Sequence, residues 1–457
     1  MKISRLFNII LLGLLLVACN NKKTKNTDSS NNTEEETTTL SDEELLDIVQ
    51  RQTLKYFWDY AEPNSGMARE RYHPDGVYPK DDAHVVTTGG SGFGLMAIVA
   101  GIERGFIPRD EAVKRLNKIA DFLEKTEKYH GAFPHWINGE TGETETFGNK
   151  DNGGDIVETS FLAQGFIVVR EYLKDGNEEE KSVAKKYDQL WKGIDWNWYT
   201  NNREGLIWHW SKEYDFEKDF FIEGYNECLV TYVLAAASPT HATNPEVYHN
   251  GWARSGNIVS NKEAYGIPLI LKYNVVGDKT GPLFWAHYSY TGLNPTGLSD
   301  KYANYWDLNV NNTKINYEYA QENPKNFETY NENSWGITAS YTRREDNSIG
   351  YTAHAPDNDR GVVAPTAAIS SIPYTPELSL RAMRYFYEDK HDLLWGPAGF
   401  YDAYSLEDED WVAQKYLAID QGPQVVMIEN YRSGLIWDLF MGAPEVKEGL
   451  DKLGFKY

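Results

Sequence analysis

The sequence has little cysteine and no recognisable metal-binding motif. Only Cys19 and Cys228 occur in 457 residues, and the 10 His residues include no His-Glu-x-x-His motif. A zinc site is therefore not expected. If Cys19 is modified, as argued below, no internal disulfide can form either, even in a compartment that would permit one. Stability must come from a packed core, which a composition of 41% apolar residues can supply.

Other chemical motifs are also missing. The chain contains no Gly-x-Ser-x-Gly nucleophile elbow and no phosphate-binding P-loop. Asp357-Asn358-Asp359 could begin a calcium loop, but the later glutamate that completes an EF-hand is absent. We therefore expect no cofactor and no metal ion.

Basic residues are fewer than acidic residues. The chain has 45 Lys and Arg against 68 Asp and Glu, a formal net charge of −23. Nucleic acids and anionic membrane surfaces are poor partners for such a protein, because phosphate groups attract clustered Lys and Arg. A neutral ligand is more consistent with this balance. With 14 Trp and 31 Tyr, a sugar is the favoured class, because its C–H faces stack on aromatic rings while carboxylates bind its hydroxyls.

No apolar run is long enough to span a membrane. Residues 9–17 are apolar apart from Gly13, which is roughly half of the about 20 residues that a spanning helix needs. The basic start at Lys2 and Arg5 and the small residue Ala18 are typical of a signal peptide covering residues 1–18. Leu16-Val17-Ala18-Cys19 further fits a bacterial lipobox, so Cys19 is predicted to be the lipidated first residue of the mature protein.

Residues 19–40 read as a flexible tether behind that lipid. They are almost all Asn, Lys, Thr, Ser, Asp and Glu, with too little apolar surface to offset the entropy of ordering. We expect a monomeric cell-envelope lipoprotein that contacts the membrane only through its anchor. No acidic run follows Cys19, which favours the periplasmic face of the outer membrane over the cell exterior.

The rest of the chain is dominated by helical patterns. A capping box at Ser41 and Glu44 starts the first helix. Helices with one apolar face alternate with helices that are apolar nearly all round, as expected for an outer and an inner layer. The one-sided helices are predicted at 41–60, 108–129 and 178–198, and the buried ones at 90–104, 155–172 and 223–237.

This alternation predicts an all-α fold, a six-fold α/α barrel formed by residues 41–457 as a single domain. Further helices are predicted at 376–389, 424–440 and 444–453. Residues 288–361 are rich in Asn, Tyr, Gly and Thr and are interpreted as long loops. Loops of that length in a compact domain are usually functional.

The first cluster of candidate acids opens a buried helix. Asp151 lies in a glycine-bearing turn, Asp155 lies at the helix start, and Glu158 follows one turn later on the same face. Asp155 could simply cap the helix, with Glu158 closing the box. That explanation covers neither Asp151 nor the apolar helix that follows, so a cleft is favoured for the cluster as a whole. Cleavage of a glycosidic bond needs two such carboxyls.

The second cluster contains Glu223 and Glu227, four residues apart at the predicted start of another apolar helix. On one helix face, two like charges are unfavourable unless they share a proton or bind a ligand. Apolar neighbours such as Cys228 would raise the pKa of the carboxyl, as a general acid requires near neutral pH. A solvated helix start, where the dipole favours acidic residues, is the simpler alternative.

Aromatic segments and later acids complete the candidate set. The segments 131–136 and 205–211 are suited to stacking sugars. The predicted substrate-binding residues are Glu223, Trp136, Trp208, His209, Trp210, Tyr225 and Trp252. Asp402, Asp420 and Glu429 are further acids, any of which could be the partner base, and the sequence alone does not choose among them.

At these residues the chain resembles a known group. Residues 153–161, 223–227 and 248–256 look like the bacterial glucoamylase-like lipoproteins placed with the β-1,2-glucanases of glycoside hydrolase family 144, and the likeness extends over residues 40–457. The resemblance implies an α/α barrel without a cofactor that hydrolyses linear β-1,2-glucan with inversion, by endo cleavage or by exo release of sophorose.

The resemblance also implies roles for individual residues. Asp151, Asp155, Glu158 and Glu227 would lie in the substrate cleft, and Glu227 is our choice for the general acid. Asp402 and Asp420 stay open as the base. A glucoamylase-type enzyme that cleaves α-glucan is the second hypothesis. A glycan-binding lipoprotein without catalysis is the third, although it would not need acids at the ends of buried helices.

Overall fold

The computed structural model describes residues 40–273, 279–344 and 348–457, and Ser41–Tyr457 form one compact unit. The predicted signal peptide, Cys19 and the tether to Thr39 lie outside the described residues. Within the described part the α-helices are α1 Asp42–Trp58, α2 Thr88–Glu103, α3 Arg109–Lys125, α4 Ile156–Leu173, α5 Glu178–Lys192, α6 Leu229–Ala237, α7 Tyr305–Glu322, α8 Pro365–Ser370, α9 Pro376–Arg384, α10 His391–Leu394, α11 Glu407–Asp410, α12 Ala418–Arg432, α13 Leu435–Gly442 and α14 Pro444–Leu453.

The loops that join these helices contain shorter elements. The 3₁₀ turns are Trp198–Thr200, Arg254–Gly256, Leu283–Ala286 and Tyr288–Tyr290, and the π-helical turns are Val247–Trp252 and Tyr385–Asp389. The strands are β1 Arg71–Tyr72, β2 Val85–Thr87, β3 Trp136–Asn138, β4 Thr144–Glu145, β5 Gly154–Asp155, β6 His209–Trp210, β7 Val259–Ala264, β8 Ile267–Leu271, β9 Ala339–Arg343, β10 Ile349–Ala353, β11 Trp395–Gly396, β12 Gly399–Phe400, β13 Ala403–Ser405, β14 Trp411–Ala413 and β15 Tyr416–Leu417.

Short strands in the loops accompany the helices that the sequence predicts. All the pairs are antiparallel, and the described strands form one three-stranded sheet, β2-β3-β4, and several two-stranded ones. Most strands are two or three residues long, too short to show an alternating pattern in the sequence. The fold is mostly helical, with loops that pair locally with one another.

Local signals predicted most helix starts correctly. Ser41 accepts from the Glu44 amide while Glu44 accepts from the Ser41 amide, so the predicted capping box is confirmed. Pro108 directly precedes α3, and Asp155 caps α4 by accepting from the amides of Val157 and Glu158. These signals are local in sequence, which is why they could be read without tertiary information.

The helices predicted as buried pack against one another. Helix α2 contacts α4 and α12, α4 contacts α6, and α12 contacts α8. The approach of α2 to α4 depends on glycine, because a Cβ atom on Gly92 would lie 2.2 Å from the carbonyl oxygen of Phe161. The amphipathic helices α1, α3 and α5 cover this layer from outside, with α1 on α12 and α5 on α4.

Three predicted boundaries are wrong. The helix expected at 223–237 begins only at Leu229, because Gly224 adopts φ +79° and its amide bonds to the Trp252 carbonyl. The helix expected at 424–440 begins at Ala418 and breaks at Gly434. The region 288–361, expected as loops, contains α7 and the β9-β10 hairpin.

A buried ion pair joins α2 to α12. Arg104 donates from Nε to Glu429 Oε2 at 2.7 Å, and the Glu429 side chain is 2% exposed. We expect Arg104→Met to lower the free energy of unfolding by about 3 kcal/mol, since it leaves a buried charge unpaired. Urea unfolding measures this. The control is Arg51→Met, which removes the exposed pair with Asp47 and should cost less than about 1 kcal/mol. Equal losses would contradict the structural role of the Arg104 pair.

Among the described residues, no helix is long and apolar enough to cross a bilayer.

Candidate active site

A cavity of about 560 Å³ opens at the ends of α4 and α12 and at the turn before α6. This volume lies within the range of roughly 300–1,000 Å³ usual for small-molecule sites. Its lining is acidic and aromatic: Glu70, Arg71, Lys80, Thr87, His135, Trp136, Phe147, Val157, Glu158, Phe161, Trp208, Glu227, Phe284, Tyr288, Ala339, Tyr341, Arg344, Ile349, Gly350, Tyr351, Ala353, Leu417 and Ile419.

Asp155 organises one wall of the cavity. Its side chain is 1% exposed and accepts from His135 Nδ1 at 2.8 Å and from Trp208 Nε1 at 2.9 Å. The amides of Val157 and Glu158 donate to its other oxygen. Burial alone would raise the pKa of Asp155, but the hydrogen bond and charge of His135 outweigh burial and hold the pKa below its usual range. Asp155 is therefore a fixed carboxylate that holds His135 and Trp208 in place.

Glu158 lies in the first turn of α4 and reaches the cavity from a buried position. Its Oε2 accepts from the Gly89 amide at 2.8 Å, so it does not close the capping box suggested by the sequence. Burial raises the pKa of Glu158 to about 7, with His135 lowering it and Asp155 raising it. The residue can change protonation state near neutral pH.

Glu227 lines the same cavity from the turn before α6. Burial raises the pKa of Glu227 to about 7, and the negative charge of Asp155 adds to the rise. Glu223 is not the cause, which corrects the expectation that two acids share a helix face. Glu223 precedes the left-handed Gly224 and lies 3.7 Å from Arg254 Nε, and no helix runs from it to Glu227.

Asp402 and Asp420 form a second carboxyl pair beside the cavity. Asp402 accepts from the Tyr341 amide at 2.8 Å, and Asp420 follows Ile419 in the first turn of α12. Burial raises the pKa of Asp402 to about 6, and burial together with the charge of Asp402 raises the pKa of Asp420 well above its usual range. Both carboxyls therefore keep their protons to a higher pH than an ordinary aspartate does. Asp420 lines a small adjoining cavity rather than the large one.

Three predicted site residues lie behind the cavity wall or beyond it. Asp151 is 4% exposed, pairs with Lys218 and lies 3.4 Å from His209 Nε2. His209 is itself buried, and burial lowers its pKa. Trp210 packs edge-on against His130 at a centroid distance of 4.7 Å. All three are outside the described residues that line the large cavity, unlike Trp136 and Trp208, which line it as expected.

Two further predicted binding residues, Tyr225 and Trp252, are not among the described residues that line the large cavity. The Tyr225 hydroxyl accepts from Asn312 Nδ2 at 2.8 Å, and Tyr225 lines a second, smaller cavity with Tyr273 and Trp285. Trp252 is fully buried in the core, with its ring centroid 6.2 Å from that of Tyr232. The large cavity does not include Trp252 among its described lining residues.

Sequence reasoning missed several lining residues. Glu70 precedes the two-residue strand β1, and Tyr341 and Tyr351 come from the β9-β10 hairpin, where loops were expected. Nothing in the local sequence marks these three. His135 could have been predicted from the sequence, because it belongs to the aromatic segment that also supplies Trp136.

The arrangement is suited to acid/base hydrolysis of a sugar. Two glutamates with pKa values raised to about 7 reach one cavity whose wall carries Trp136 and Trp208. A paired acid and base of this kind, with aromatic rings for the sugar faces, defines the class of glycoside hydrolases.

Comparison with known proteins identifies the family. The model of the family described as "Putative glucoamylase" matches residues 219–444, and that of a family of unknown function matches residues 49–193. An endo-β-1,2-glucanase from Chitinophaga pinensis, solved with sophorotriose and glucose, is 56% identical, with 92% of this chain and 99% of that chain covered and a TM-score of 0.89. A glucoamylase-type structure from Bacteroides caccae is 54% identical, with 91% and 99% covered and a TM-score of 0.88.

A curated relative is the exo β-1,2-glucooligosaccharide sophorohydrolase of Parabacteroides distasonis, 43% identical over 434 residues. The match covers 90% of this chain, which spans 58% of the length of that relative. The chain belongs to the glucoamylase-like family of β-1,2-glucanases, glycoside hydrolase family 144. The family resemblance inferred from the sequence is thereby confirmed.

Proposed function

We propose that the chain hydrolyses linear β-1,2-glucan with inversion, using Glu227 as the general acid. The observation that carries the proposal is the pair Glu158 and Glu227, two carboxyls that line one cavity and titrate near neutral pH. Inverting hydrolysis needs one carboxyl that is protonated and one that is ionised at the same pH.

Glu227 protonates the glycosidic oxygen as its bond to the anomeric carbon breaks. A carboxyl can do this only if it still holds a proton at working pH, and burial together with the Asp155 charge raises the pKa of Glu227 to about 7. Water attacks the anomeric carbon from the opposite face, so a β-linkage gives an α-anomer as the first product.

Glu158 takes the proton of that water. It lines the large cavity, whereas Asp420 lines an adjoining one and Asp402 is engaged by the Tyr341 amide. The positive charge of His135 favours the ionised form of Glu158. Asp402 and Asp420, left open by the sequence, are the alternative base, because Asp420 lines the adjoining cavity and burial raises the pKa of Asp402 only to about 6.

The substrate follows from the relatives rather than from the cavity alone. The proteins from Chitinophaga pinensis and Parabacteroides distasonis are named for β-1,2-glucan and its oligosaccharides. Near-complete coverage of the first favours endo cleavage, and aromatic side chains in the cavity suit a neutral sugar. Glucoamylase-type cleavage of α-glucan is the competing activity.

The test is incubation of the purified protein with β-1,2-glucan, starch and laminarin, with products separated by chromatography and the first anomer read by NMR. We expect a ladder of short oligosaccharides from β-1,2-glucan only, with the α-anomer formed first. Sophorose alone from the earliest time would assign exo action. Products from starch would instead support the competing activity, and binding without cleavage would leave a glycan-binding lipoprotein.

We also propose that the helices close into a six-fold α/α barrel with the cavity at one end. The successive contacts of α12, α2, α4 and α6 and the contact of α8 with α12 support such a ring. A hydrogen bond of 2.9 Å between His287 and Ser371 joins the 3₁₀ segment after α6 to the end of α8. A crystal structure with an open gap between α6 and α8 would contradict closure.

We further propose that the protein is a monomeric lipoprotein on the periplasmic face of the outer membrane. Leu16-Val17-Ala18-Cys19 and the polar residues behind it are the supporting observations. Cys19→Ala should move the protein from the membrane fraction to the soluble fraction, measured by immunoblotting of fractionated cells. The matched control is Cys228→Ala, which removes the other cysteine and should leave fractionation unchanged. Cleavage of the native protein by protease added to intact cells would contradict the periplasmic orientation.

A further inference from the structure

The β9-β10 hairpin turns one face towards the large cavity. Side chains alternate in direction along a strand, so Ile349, Tyr351 and Ala353 of β10 lie on the same face. All three line the cavity, as does Tyr341, the residue of β9 that lies opposite Tyr351. The hairpin therefore presents an apolar and aromatic surface to a ligand in the cavity.

This surface passes from buried to exposed across the two strands. Tyr341 is 6% exposed and its partner Tyr351 is 55% exposed, so β9 lies deeper and β10 forms part of the rim. When a hairpin packs on a core, its apolar face is buried and its polar face meets solvent. An apolar face that is exposed beside a cavity is instead typical of a ligand-binding surface.

Phe147 is a second exposed ring on the same cavity. It follows β4, is 45% exposed, and its amide donates to the Asp151 carbonyl. The ring stacks on His135 with a centroid distance of 3.8 Å and an interplanar angle of 19°, and it meets Trp136 edge-on at 5.0 Å. Because these contacts fix the orientation of the ring, a ligand that packs on its exposed part loses little affinity to ordering.

The size of the cavity means that a polymer must extend beyond it. Glu158 is buried at the inner wall, and the exposed rings of Phe147 and Tyr351 lie where the cavity meets solvent. A volume of about 560 Å³ cannot contain a long glucan. Glucosyl units outside the cavity must therefore pass the rim, where C–H faces of a sugar can stack on exposed aromatic rings.

We propose that Phe147 and Tyr351 are specificity-determining residues that bind outer glucosyl units of β-1,2-glucan and give the enzyme a preference for long chains. The inference rests on the proposed glucanase function and adds the length of the substrate to it. One aromatic contact changes affinity by about 2–10-fold. Since these units are not joined by the bond that breaks, the contribution should fall on KM and leave kcat unchanged.

The test is steady-state kinetics on long β-1,2-glucan and on the shortest oligosaccharide that the wild type cleaves. Tyr351→Ala and Phe147→Leu should each raise KM for the long chain by about 2–10-fold, with both constants for the short one unchanged. Leucine keeps an apolar side chain against His135 while removing the ring. Tyr351→Phe keeps the ring and should behave as the wild type.

Tyr431→Ala is the matched control. Tyr431 is an exposed tyrosine in α12 outside the described lining of the cavity, and its loss should alter neither substrate. An equal loss on the long and the short substrate would show that the rings do not act on chain length. That result, or an unchanged KM for the long chain in both ring variants, would overturn the inference while the protein remains a glucanase.

Binding separates this inference from the proposed function. If the wild type cleaves no β-1,2-glucan, the proposed function fails, and calorimetry with the uncleaved polymer then tests the rings directly. Tyr351→Ala and Phe147→Leu should still raise the dissociation constant for the long chain by about 2–10-fold. An unchanged constant, or a wild type that does not bind the polymer, would overturn the inference as well.

Discussion

Glu227→Gln is expected to reduce turnover of β-1,2-glucan by about 10²–10⁴-fold, the contribution of a positioned general acid. The amide keeps the size of the side chain and can still hydrogen bond, but it has no proton to give to the leaving oxygen. Since binding of the sugar does not depend on that proton, the loss should fall on kcat, with the dissociation constant for an oligosaccharide nearly unchanged. Steady-state kinetics and calorimetry measure the two effects separately.

A substrate with a better leaving group separates an acid from any other role. A nitrophenyl group leaves without protonation. Glu227→Gln should therefore cleave the nitrophenyl β-glycoside of sophorose at close to the wild-type rate. Glu217→Gln is the control, since this exposed partner of Lys150 should change neither rate. Retention of more than about a tenth of wild-type turnover on glucan would remove Glu227 as the acid and direct the search to Glu158.

The sequence predicted those parts of the fold whose causes are local. The capping box at Ser41, the proline before α3 and the Asp155 cap all lie within a few residues of the amides that they affect. For Asp155 the capping hypothesis and the functional hypothesis both describe the same carboxylate. Its two oxygens accept different hydrogen bonds. Oδ1 caps α4, and Oδ2 accepts from His135 and Trp208.

Helix α7 was missed because its stability comes from distant partners. Its asparagines have weak helix propensity, and in a sequence they favour turns. In the folded chain two of them are buried and bonded: Asn312 donates to the Tyr225 hydroxyl, and Asn316 donates to the Ile337 carbonyl while accepting from its amide. Such contacts join residues far apart in sequence and leave no periodic pattern.

The predicted helix start at residue 223 was wrong for a related reason. Residues 223–228 follow the same acidic and apolar spacing as a helix start, but the Gly224 and Tyr225 amides bond to the carbonyls of Trp252 and Lys272. These tertiary hydrogen bonds replace the helical ones. Glu227 therefore reaches the cavity from a turn, and the carboxyl that adds to its pKa is Asp155, on another element.

Glu158→Gln is expected to reduce turnover by about 10²–10⁴-fold as well, because the attacking water loses its base. The Gly89 amide can still donate to the glutamine oxygen, so the start of α4 should keep its structure. Added azide should restore turnover to this variant, since a small anion attacks the anomeric carbon without a base, and the product should be an α-glycosyl azide. The Glu227→Gln variant should gain nothing from azide on glucan.

The pH dependence assigns the two carboxyls independently. In the wild type, turnover needs Glu158 ionised and Glu227 protonated, so it should fall as pH drops below about 7 through the pKa of Glu158 and fall again as pH rises above about 7 through that of Glu227. The azide reaction of Glu158→Gln should lose the acidic limb and keep the alkaline one. If the acidic limb persists there and disappears instead in Asp420→Asn with azide, the base is the Asp402–Asp420 pair and Glu158 only shapes the cavity.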